Sequence, residues 1–406
     1  MADIRPITCL RPEVEMAARI ATGPHSEISK GEIREKILEN PLSYSRIVHP
    51  KCLYGSVPDV YDRTAGILEA WIGKGIFRQD DAAAFYIYRL TSCGHTQSGL
   101  VGLTPIDEIV SGRVHAHEKV RENKLADLML HIDKCGAQIG GPVLMAIHSN
   151  ASFLQWIAEQ EKQAPLYHFV SENGVLNQIW RVDDPAAVRE IEEIMHGVGD
   201  LYIADGHHRV MASAAICERN RKENPDFSGE EPWNYLPCVC FSEDELQILP
   251  FARVVEGYRD RSLQELLRQL SESFMVEECA YGADPRRKGE FILASCGQCF
   301  RLILKEELRS ADARESLDVS VLQDLVLEPL FGIRDPKTDP RMEFIGGMKY
   351  KEQLLSVCRA DDVAGFLPYH TTMDELFAVA DAGETMPPKS TWFEPKLCNG
   401  LFIYKL

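Results

Sequence analysis

One stretch near the middle of the chain, LYIADGHHRVMASAAICERN, constrains the fold more strongly than any other part of the sequence. Its apolar start, Leu201 to Ala204, ends at Asp205-Gly206, and an Ala-rich segment with helical spacing follows at once. This order predicts a strand, a tight turn and a helix. Asp205 is a residue type that caps helices, and Gly206 can adopt backbone angles that a side chain forbids.

The predicted helix begins with His207, His208 and Arg209. Unpaired N–H groups and the positive end of the helix dipole make such a terminus an anion-binding site. Because the dipole favours acidic side chains there, three basic or potentially basic ones act against helix stability. We therefore predict a phosphate or carboxylate site at this turn. The alternative is that Asp205 is only a helix cap and the histidines are ordinary surface residues.

The charge of the chain limits its partners. Its 406 residues suit two or three domains, and Lys plus Arg number 44 against 62 for Asp plus Glu, a net charge of −18. Such a chain repels a phosphate backbone, so we expect no nucleic-acid partner. The sequence has no signal peptide and no apolar run near the roughly 18 residues of a membrane span. Its 12 cysteines then indicate reduced thiols in a soluble cytoplasmic protein with no membrane partner. The oligomeric state is left open.

Alternating helix and strand patterns predict a mixed α/β fold. The segments 30–39 and 60–74 have helical spacing. Near residue 260 the pattern changes to one helix followed by two strands, so we place a soft domain boundary there. This gives a core in residues 1–260 and a C-terminal α/β region in residues 261–406. Strands are expected at 84–90 and 98–104 (a hairpin), 142–148, 165–170, 236–241 and 246–255, and a further helix at 151–162.

A second stretch with functional character is Arg113 to Cys135, whose periodicity predicts one long helix. Steps of four and three bring its basic residues to one face, which forms a positive stripe able to meet an anionic ligand. The alternative is a solvated helix face on which Glu118 and Glu122 pair with neighbouring bases. The residues of the predicted stripe are His117, Arg121, Lys124, Leu128 and His131.

The third stretch, MPPKSTWFEPK, lies near the C-terminus and contains three prolines that fix its backbone. Lys389 and Ser390 have side chains that can donate to phosphate, and Glu394 can bind a metal. The alternative is a rigid closing strand with Trp392 and Phe393 in the core.

Other patterns are interpreted as structural. Cys296 and Cys299 form a C-x-x-C between two strand-like runs, with no second pair at zinc spacing, which favours a hairpin turn. Cys238 and Cys240 alternate within a predicted strand and are expected in the core. The Leu and Val spacing of 317–333 predicts a packed helix. No G-x-G-x-x-G or Walker lysine loop is present, which disfavours dinucleotide-binding and P-loop folds.

ADGHHR and the closing segment LFAVADAGETMPPKSTWFEPKLCNGL resemble the motifs of a ParB-like family, domain of unknown function 1015, some members of which are free L-serine kinases. The resemblance extends over nearly the whole chain. It implies a ParB/sulfiredoxin-like core on which the C-terminal region packs back. It also implies an enzyme that uses ATP or ADP with Mg²⁺ and transfers phosphate to the hydroxyl of free L-serine or a similar small acceptor.

The resemblance and the anion-site argument together assign roles to individual residues. Glu118, Asp205 and His207 are the expected catalytic residues, and Asp205 and Glu118 the expected metal ligands. Arg253 and Ser390 are expected to contact the acceptor substrate. The expected nucleotide- or phosphate-binding residues are Gly206, His208, Arg209, His117, Arg121, Lys124 and Lys389.

The chain departs from the family pattern at several places, which makes it a divergent member. It has Pro24-His25-Ser26 where relatives have Pro-Tyr-Asp, and Glu27, one residue further on, is the candidate substitute for that Asp. Phe251-Ala252-Arg253 replaces Thr-His-Arg, and Leu125 and Leu128 occupy places that are usually charged. These departures support an alternative function, a catalytically degenerate protein of the same family that binds nucleotide or regulates.

Overall fold

The computed structural model describes residues 3–25, 28–257 and 261–406. The chain separates into two compact units. Unit 1 consists of Met1–Leu246 and Pro395–Leu406, and unit 2 consists of Gln247–Glu394. The mixed α/β class predicted from the sequence is confirmed. The domain boundary near residue 260 and the ParB/sulfiredoxin-like core stay predictions.

Strands are distributed along both units. They are β1 (Leu10–Pro12), β2 (Phe77–Gln79), β3 (Phe85–Ser92), β4 (His95–Pro105), β5 (Val114–His115), β6 (Ala137–Gln138), β7 (Val143–Ile147), β8 (Tyr167–Val170), β9 (Leu176–Val182), β10 (Leu201–Asp205), β11 (Tyr235–Ser242), β12 (Gln247–Leu249), β13 (Ala252–Glu256), β14 (Phe274–Cys279), β15 (Glu290–Ser295), β16 (Gln298–Leu304), β17 (Met342–Ile345), β18 (Val363–Pro368), β19 (Trp392–Glu394) and β20 (Tyr404–Lys405).

Helices connect most of these strands. They are α1 (Ala17–Ile20), α2 (Lys30–Glu39), α3 (Ser45–Val48), α4 (Pro50–Tyr54), α5 (Val60–Gly73), α6 (Ile106–Val110), α7 (Glu122–Cys135), α8 (Ala151–Gln160), α9 (Pro185–His196), α10 (His207–Glu223), α11 (Leu263–Leu270), α12 (Asp318–Leu322), α13 (Glu328–Phe331), α14 (Tyr350–Val357) and α15 (Met373–Asp381). Within the described ranges, no helix has both the length and the apolar character needed to cross a membrane.

An eight-stranded mixed sheet is the centre of unit 1, with strand order β5-β10-β7-β11-β4-β3-β9-β8. Strand β10 runs parallel to β5 and antiparallel to β7. Apolar side chains of this sheet pack with those of α8, α9 and α10, among them Phe153, Met195 and Val210. The C-terminal segment belongs to this unit as well, because β20 pairs with β6.

Unit 2 is built on a six-stranded antiparallel sheet with strand order β14-β16-β15-β18-β13-β17. Its core contains Phe291, Leu322 and Phe366. Helices α12 and α13 are joined without a break by a π-helical turn, Gln323–Leu327. The short strands β12 and β19 form a separate antiparallel pair in which Gln247 is opposite Glu394.

Most predicted elements are confirmed. Helix α2 has the predicted bounds, and its start is fixed by a capping box between Ser29 and Glu32. Strands β3 and β4 form the predicted hairpin. Cys296 lies in the turn between β15 and β16, and Cys238 and Cys240 are fully buried in β11. The predicted strand 246–255 is divided into β12 and β13.

The long helix predicted from Arg113 to Cys135 is wrong in its first third. Residues 114 and 115 form strand β5, residues 116–121 form a loop, and α7 begins only at Glu122. The predicted stripe therefore does not exist, since His117 and Arg121 lie outside the helix. Within α7, His131 is buried against the ring of Tyr61, with ring centroids 4.1 Å apart.

Candidate functional site

The predicted strand–turn–helix unit is present, with β10 ending at Asp205 and α10 beginning at His207. Gly206 between them has φ of 109°, a conformation that L side chains rarely adopt. Gly206 is itself the cap residue, and no side chain caps the helix, so the predicted capping role of Asp205 is wrong. The pairing of β10 with β7 shifts register between Ile203 and Asp205. Such irregularities re-aim side chains at the end of a strand.

His207 is the buried centre of this unit, with 4% of its surface exposed. The main-chain N–H of His117 donates to Nε2 of His207 over 3.4 Å. Because Nε2 accepts, the proton of the neutral ring lies on Nδ1, which is 3.7 Å from a carboxylate oxygen of Glu118. Burial, partly opposed by the charge of Asp205, lowers the pKa of His207 to about 4. His207 is therefore neutral, and its Nδ1 is near Glu118 but beyond direct hydrogen-bond distance.

His117 is the second buried imidazole of this cluster and packs edge-on against His207, with ring centroids 4.5 Å apart. Burial and the neighbouring His207 hold the pKa of His117 well below its usual range, although a hydrogen bond to the Ile203 main chain opposes them. Its Nδ1 atom is buried without a hydrogen-bond partner. A buried acceptor of this kind calls for a water or a ligand to donate to it.

The side chains of His208 and Arg209, in the first turn of α10, hold two different loops by hydrogen bonds. Nε2 of His208 accepts from the main-chain N–H of Arg121 over 3.2 Å, which ties the 116–121 loop to the helix start. Nη1 of Arg209 donates to the carbonyls of Gly141 and Pro142. Burial lowers the pKa of Arg209, with Asp205 opposing the shift. Part of its guanidinium thus fixes the loop before β7.

Asp205 lies at the mouth of the turn, with 55% of its side chain exposed, and one carboxylate oxygen is 4.0 Å from Nζ of Lys396. Crowding by the surrounding protein raises the pKa of Asp205, but Lys396, Arg209 and His207 outweigh it, so the pKa lies below its usual value. Asp205 is therefore ionised at neutral pH. The sequence reasoning missed Lys396, although it is the last residue of the MPPKSTWFEPK motif.

The carboxylates near the turn fit a hard divalent cation. Mg²⁺ is commonly held by one or two carboxylates together with substrate phosphates and water. Asp205 and Glu118 are both partly exposed, and both interact with His207. Among the residues that the structure describes, no group of three or more His, Cys, Asp or Glu side chains forms an all-protein metal site. An ionised Asp205 also repels a phosphate at the helix terminus, and a bridging cation removes that repulsion.

The remaining residues of the predicted stripe do not join this cluster through their side chains. In the described part of the chain, Lys124 makes no hydrogen bond or ion pair with the turn, and its side chain is exposed on α7. Leu125 and Leu128 pack against a small apolar cluster formed by α7 and α10, which consists of Ile132, Ala212 and Ile216. Their apolar character at usually charged places is thus explained by helix packing.

Three predicted residues lie together in unit 2. Arg253 on β13 donates to the carbonyls of Pro388 and Lys389 over 3.3 and 3.1 Å. The hydroxyl of Ser390 donates to the carbonyl of Pro387 over 2.7 Å. Lys389 has φ of 58°, and its ammonium lies 5.2 Å from the ring centre of Phe251. Arg253 and Ser390 thus both stabilise the 387–390 turn.

Two departures from the family pattern have different outcomes. Phe251 packs edge-on against Trp392, with ring centroids 5.1 Å apart, directly above Gly346. This apolar contact accounts for the phenylalanine. Ser26 and Glu27, the other departure, lie outside the described residues.

Comparison with known proteins identifies the family. The sequence model of the family described as "Protein of unknown function (DUF1015)" matches residues 4–320. No curated protein sequence matches the chain. Among solved structures, SbnI with C-terminal truncation from Staphylococcus aureus is 14% identical, with a TM-score of 0.40, over 75% of this chain and 87% of that chain.

Two further solved structures are similar at the same level. A mutant free serine kinase in complex with ADP is 15% identical, with a TM-score of 0.36, over 74% of this chain and 92% of that chain. A conserved hypothetical protein from Pyrococcus furiosus is 12% identical, with a TM-score of 0.35, over 75% of this chain and 94% of that chain.

Proposed function

The chain belongs to the DUF1015 family, and we propose that it is a small-molecule kinase that transfers the γ-phosphoryl group of ATP to the hydroxyl of free L-serine or a similar acceptor. The observation that carries the proposal is the arrangement at the start of α10. An ionised carboxylate, a lysine, a buried neutral histidine and a helix N-terminus meet there within unit 1. Phosphoryl transfer needs positioned donors, positive charge and carboxylates that hold Mg²⁺.

The proposed roles follow from the contacts described above and, for the side chains of Arg121 and Lys124, from the motif resemblance alone. His208, Arg209 and the main chain from Gly206 onward contact the nucleotide phosphates at the positive end of α10. Lys396, Arg121 and Lys124 add positive charge. Asp205 and Glu118 would hold Mg²⁺, which when bound neutralises phosphate charge.

Glu118 also has a place in the proton transfer. Nδ1–H of His207 orients the Glu118 carboxylate, and this carboxylate takes the proton of the acceptor hydroxyl. A bond forms between the hydroxyl oxygen and the γ-phosphorus, and the bond from that phosphorus to the bridging oxygen breaks, so ADP leaves. His117 positions His207 through its main-chain N–H. For unit 2 we propose, on the motif resemblance, that Lys389 contacts phosphate and that Arg253 and Ser390 contact the acceptor.

The test is calorimetric titration of ATP–Mg²⁺ into the wild-type protein and the His208→Ala variant, followed by detection of phosphoserine after incubation with L-serine. His196→Ala, an exposed histidine at the end of α9, is the matched control. We expect His208→Ala to weaken binding by about tenfold or more, equal to about 1.4 kcal/mol, and His196→Ala to have no effect. Absence of nucleotide binding by the wild-type protein would refute the proposal.

The second candidate function is a nucleotide-binding or regulatory protein without turnover. The apolar packing of Phe251 on Trp392 favours it, because relatives have a polar residue at that place. Under this function, ATP–Mg²⁺ still binds and His208→Ala still weakens it, but no acceptor is phosphorylated. Product formation with L-serine would exclude this candidate.

A further inference from the structure

Unit 2 contains a cavity of about 410 Å³ that is distinct from the phosphate-binding turn of unit 1. Such a volume is typical of small-molecule sites. One wall is the segment 319–324, where α12 passes into the π-helical turn. A π-helical turn within an α-helix is rare and frequently marks a functional site. The segment 317–333, interpreted from its sequence as a packed helix only, thus also lines a cavity.

A buried cation forms part of this cavity. Arg253 is 2% exposed and donates to the main-chain carbonyls of Phe251, Pro388 and Lys389. Across the described ranges, no carboxylate lies within 4 Å of its guanidinium. Burial lowers the pKa of Arg253 to about 9. Its guanidinium also lies 5.5 Å from the ring centre of Phe344. Buried charges are generally paired, but among the described residues this arginine contacts carbonyls and an aromatic ring and no anion.

The charges around Arg253 indicate what kind of anion fits. Arg314 also lines the cavity and, in the described structure, has no ion-pair partner. Basic side chains in the wall exceed acidic ones by one, and one of them, Arg334, is 3.9 Å from Glu328 outside the wall. This small net charge matches a ligand with a single carboxylate better than a dianion such as phosphate. The basic residues are Arg253, Arg314, Arg334 and Lys337, and the acidic ones are Glu315, Asp324 and Asp335.

The same wall provides acceptors. Partial burial and the nearby Glu328 and Glu315 raise the pKa of Asp324, although Arg314 opposes this. The amide nitrogen of Gln323 donates to the Ile333 carbonyl over 2.8 Å, while its Oε1 is buried without a partner. Acceptors that lack donors favour a ligand that carries a hydroxyl or ammonium group.

We propose that this cavity binds a small monocarboxylate with a hydrogen-bond donor on the carbon next to the carboxylate. The carboxylate contacts the guanidinium groups of Arg253 and Arg314, and the donor faces Asp324 and Gln323. The proposal rests on the proposed function in one respect, because Arg253 is also proposed there to contact the acceptor and L-serine belongs to this ligand class. Its test contains no nucleotide, so its failure and the failure of the kinase proposal are distinguishable.

The test is calorimetric titration of the full chain with propionate, L-lactate and L-alanine, which differ only in the group next to the carboxylate. Inorganic phosphate is titrated in parallel. We expect L-lactate or L-alanine to bind more tightly than propionate and phosphate. Because hydrogen bonds between charged groups are strong, we expect Arg253→Met to weaken carboxylate binding by about tenfold or more. Arg314→Gln tests the same contact at an exposed residue and keeps the proposal testable if Arg253→Met does not fold.

Two variants complete the design. Asp324→Asn should reduce the advantage of L-alanine over propionate and leave propionate unchanged. Arg268→Gln removes an exposed arginine of α11 outside the cavity and should change nothing. The proposal would be overturned if the wild-type protein bound the three carboxylates equally and Arg314→Gln bound them as tightly as the wild-type protein does. Preferential binding of phosphate would overturn it as well.

Discussion

At the level of single residues, the ionised state of Asp205 decides which ligand the turn can hold. A carboxylate with a lowered pKa stands at the positive end of α10, 4.0 Å from Lys396. It repels a free phosphate and attracts a phosphate that brings Mg²⁺. In the proposed kinase site, the charge of this one side chain would therefore couple nucleotide affinity to the metal.

Asp205→Asn tests this coupling. We expect the variant to bind ATP–Mg²⁺ about tenfold or more weakly than the wild-type protein, because a metal ligand is lost. In EDTA we expect it to bind ATP as tightly as the wild-type protein or more tightly, because the repulsion is removed. Calorimetry under both conditions measures the difference. Equal loss of affinity with and without Mg²⁺ would show that Asp205 acts through the structure of the turn alone.

Buried histidines make unit 1 sensitive to acid. Burial lowers the pKa of His131 to about 4, against about 6.5 in an unfolded chain. Below pH 6.5 the unfolded chain binds a proton that the folded chain does not, so stability falls as the pH drops from 6.5 towards 4. For one such group the loss is about 2 kcal/mol at pH 5.

His131→Phe should remove this contribution, since a phenyl ring can still stack on Tyr61. We expect the fall in unfolding free energy between pH 7 and pH 5 to be smaller than in the wild-type protein by about 2 kcal/mol. Urea unfolding followed by tryptophan fluorescence measures it, since unit 1 contains Trp71, Trp156, Trp180 and Trp233. A variant with the wild-type pH dependence would contradict the prediction.

Residues of the candidate site could be selected from the sequence where their neighbours along the chain supply the argument. From Asp205 to Arg209, the turn glycine, the predicted helix N-terminus and the basic side chains follow one another directly in the sequence. Lys396 could not be found in this way, since its approach to Asp205 joins residues almost 200 positions apart, as their numbers show. The motif MPPKSTWFEPK was the only sequence signal for Lys396. Because that motif also contains Lys389, the sequence does not show which of the two lysines lies near Asp205.

At the level of elements, the backbone of Gly206 fixes how β10 passes into α10. A Cβ atom at Gly206 would lie 2.7 Å from Nη2 of Arg209. This guanidinium is already bonded to the carbonyls before β7, so it cannot easily move away. The turn, the helix start and the neighbouring loop are therefore one packed arrangement.

Gly206→Ala should disturb this arrangement, and Gly174→Ala is its control. Gly174 also has a positive φ of 80°, but no atom lies within 4 Å of the added Cβ. Both variants have backbone strain, and only Gly206→Ala adds the clash. We expect Gly206→Ala to lose more unfolding free energy than Gly174→Ala by roughly 1–3 kcal/mol. Similar losses in urea unfolding would show that Arg209 moves freely.

The error in the predicted long helix also belongs to this scale. The spacing of residues from Arg113 to Cys135 is compatible with one helix. Residues 114 and 115 nevertheless pair with β10, and the loop that follows them contacts the start of α10. Buried contacts of His117 with His207 outweigh local helical propensity there. Local periodicity cannot reveal this contact, because His207 is 90 residues away in the sequence. The same helix was predicted correctly from Glu122 onward, where the apolar face packs on α10.

At the level of the whole molecule, unit 2 is an insertion into unit 1. Unit 2 begins at Gln247 and ends at Glu394, and these two residues are opposite each other in the pair of strands β12 and β19. The chain of unit 1 stops at Leu246 and resumes at Pro395. Opposite residues of an antiparallel pair are about 5 Å apart, so the two chain connections lie side by side. Beyond them, the last twelve residues complete unit 1, with Leu401, Phe402 and Ile403 in its core.

Excision of residues 247–394, with a short Gly-Ser linker in their place, should therefore leave unit 1 able to fold. We expect its affinity for ADP–Mg²⁺ to be within about tenfold of that of the full chain, because Asp205, His207, Glu118 and Lys396 all belong to unit 1. Phosphoryl transfer should be lost, since Arg253 and Ser390 are absent. Circular dichroism and calorimetry measure these outcomes. Truncation after Glu394 is the comparison, because it removes Lys396 and the core residues of the C-terminal segment. A folded excised chain that does not bind would show that unit 2 supplies essential nucleotide contacts, with Lys389 the first to test.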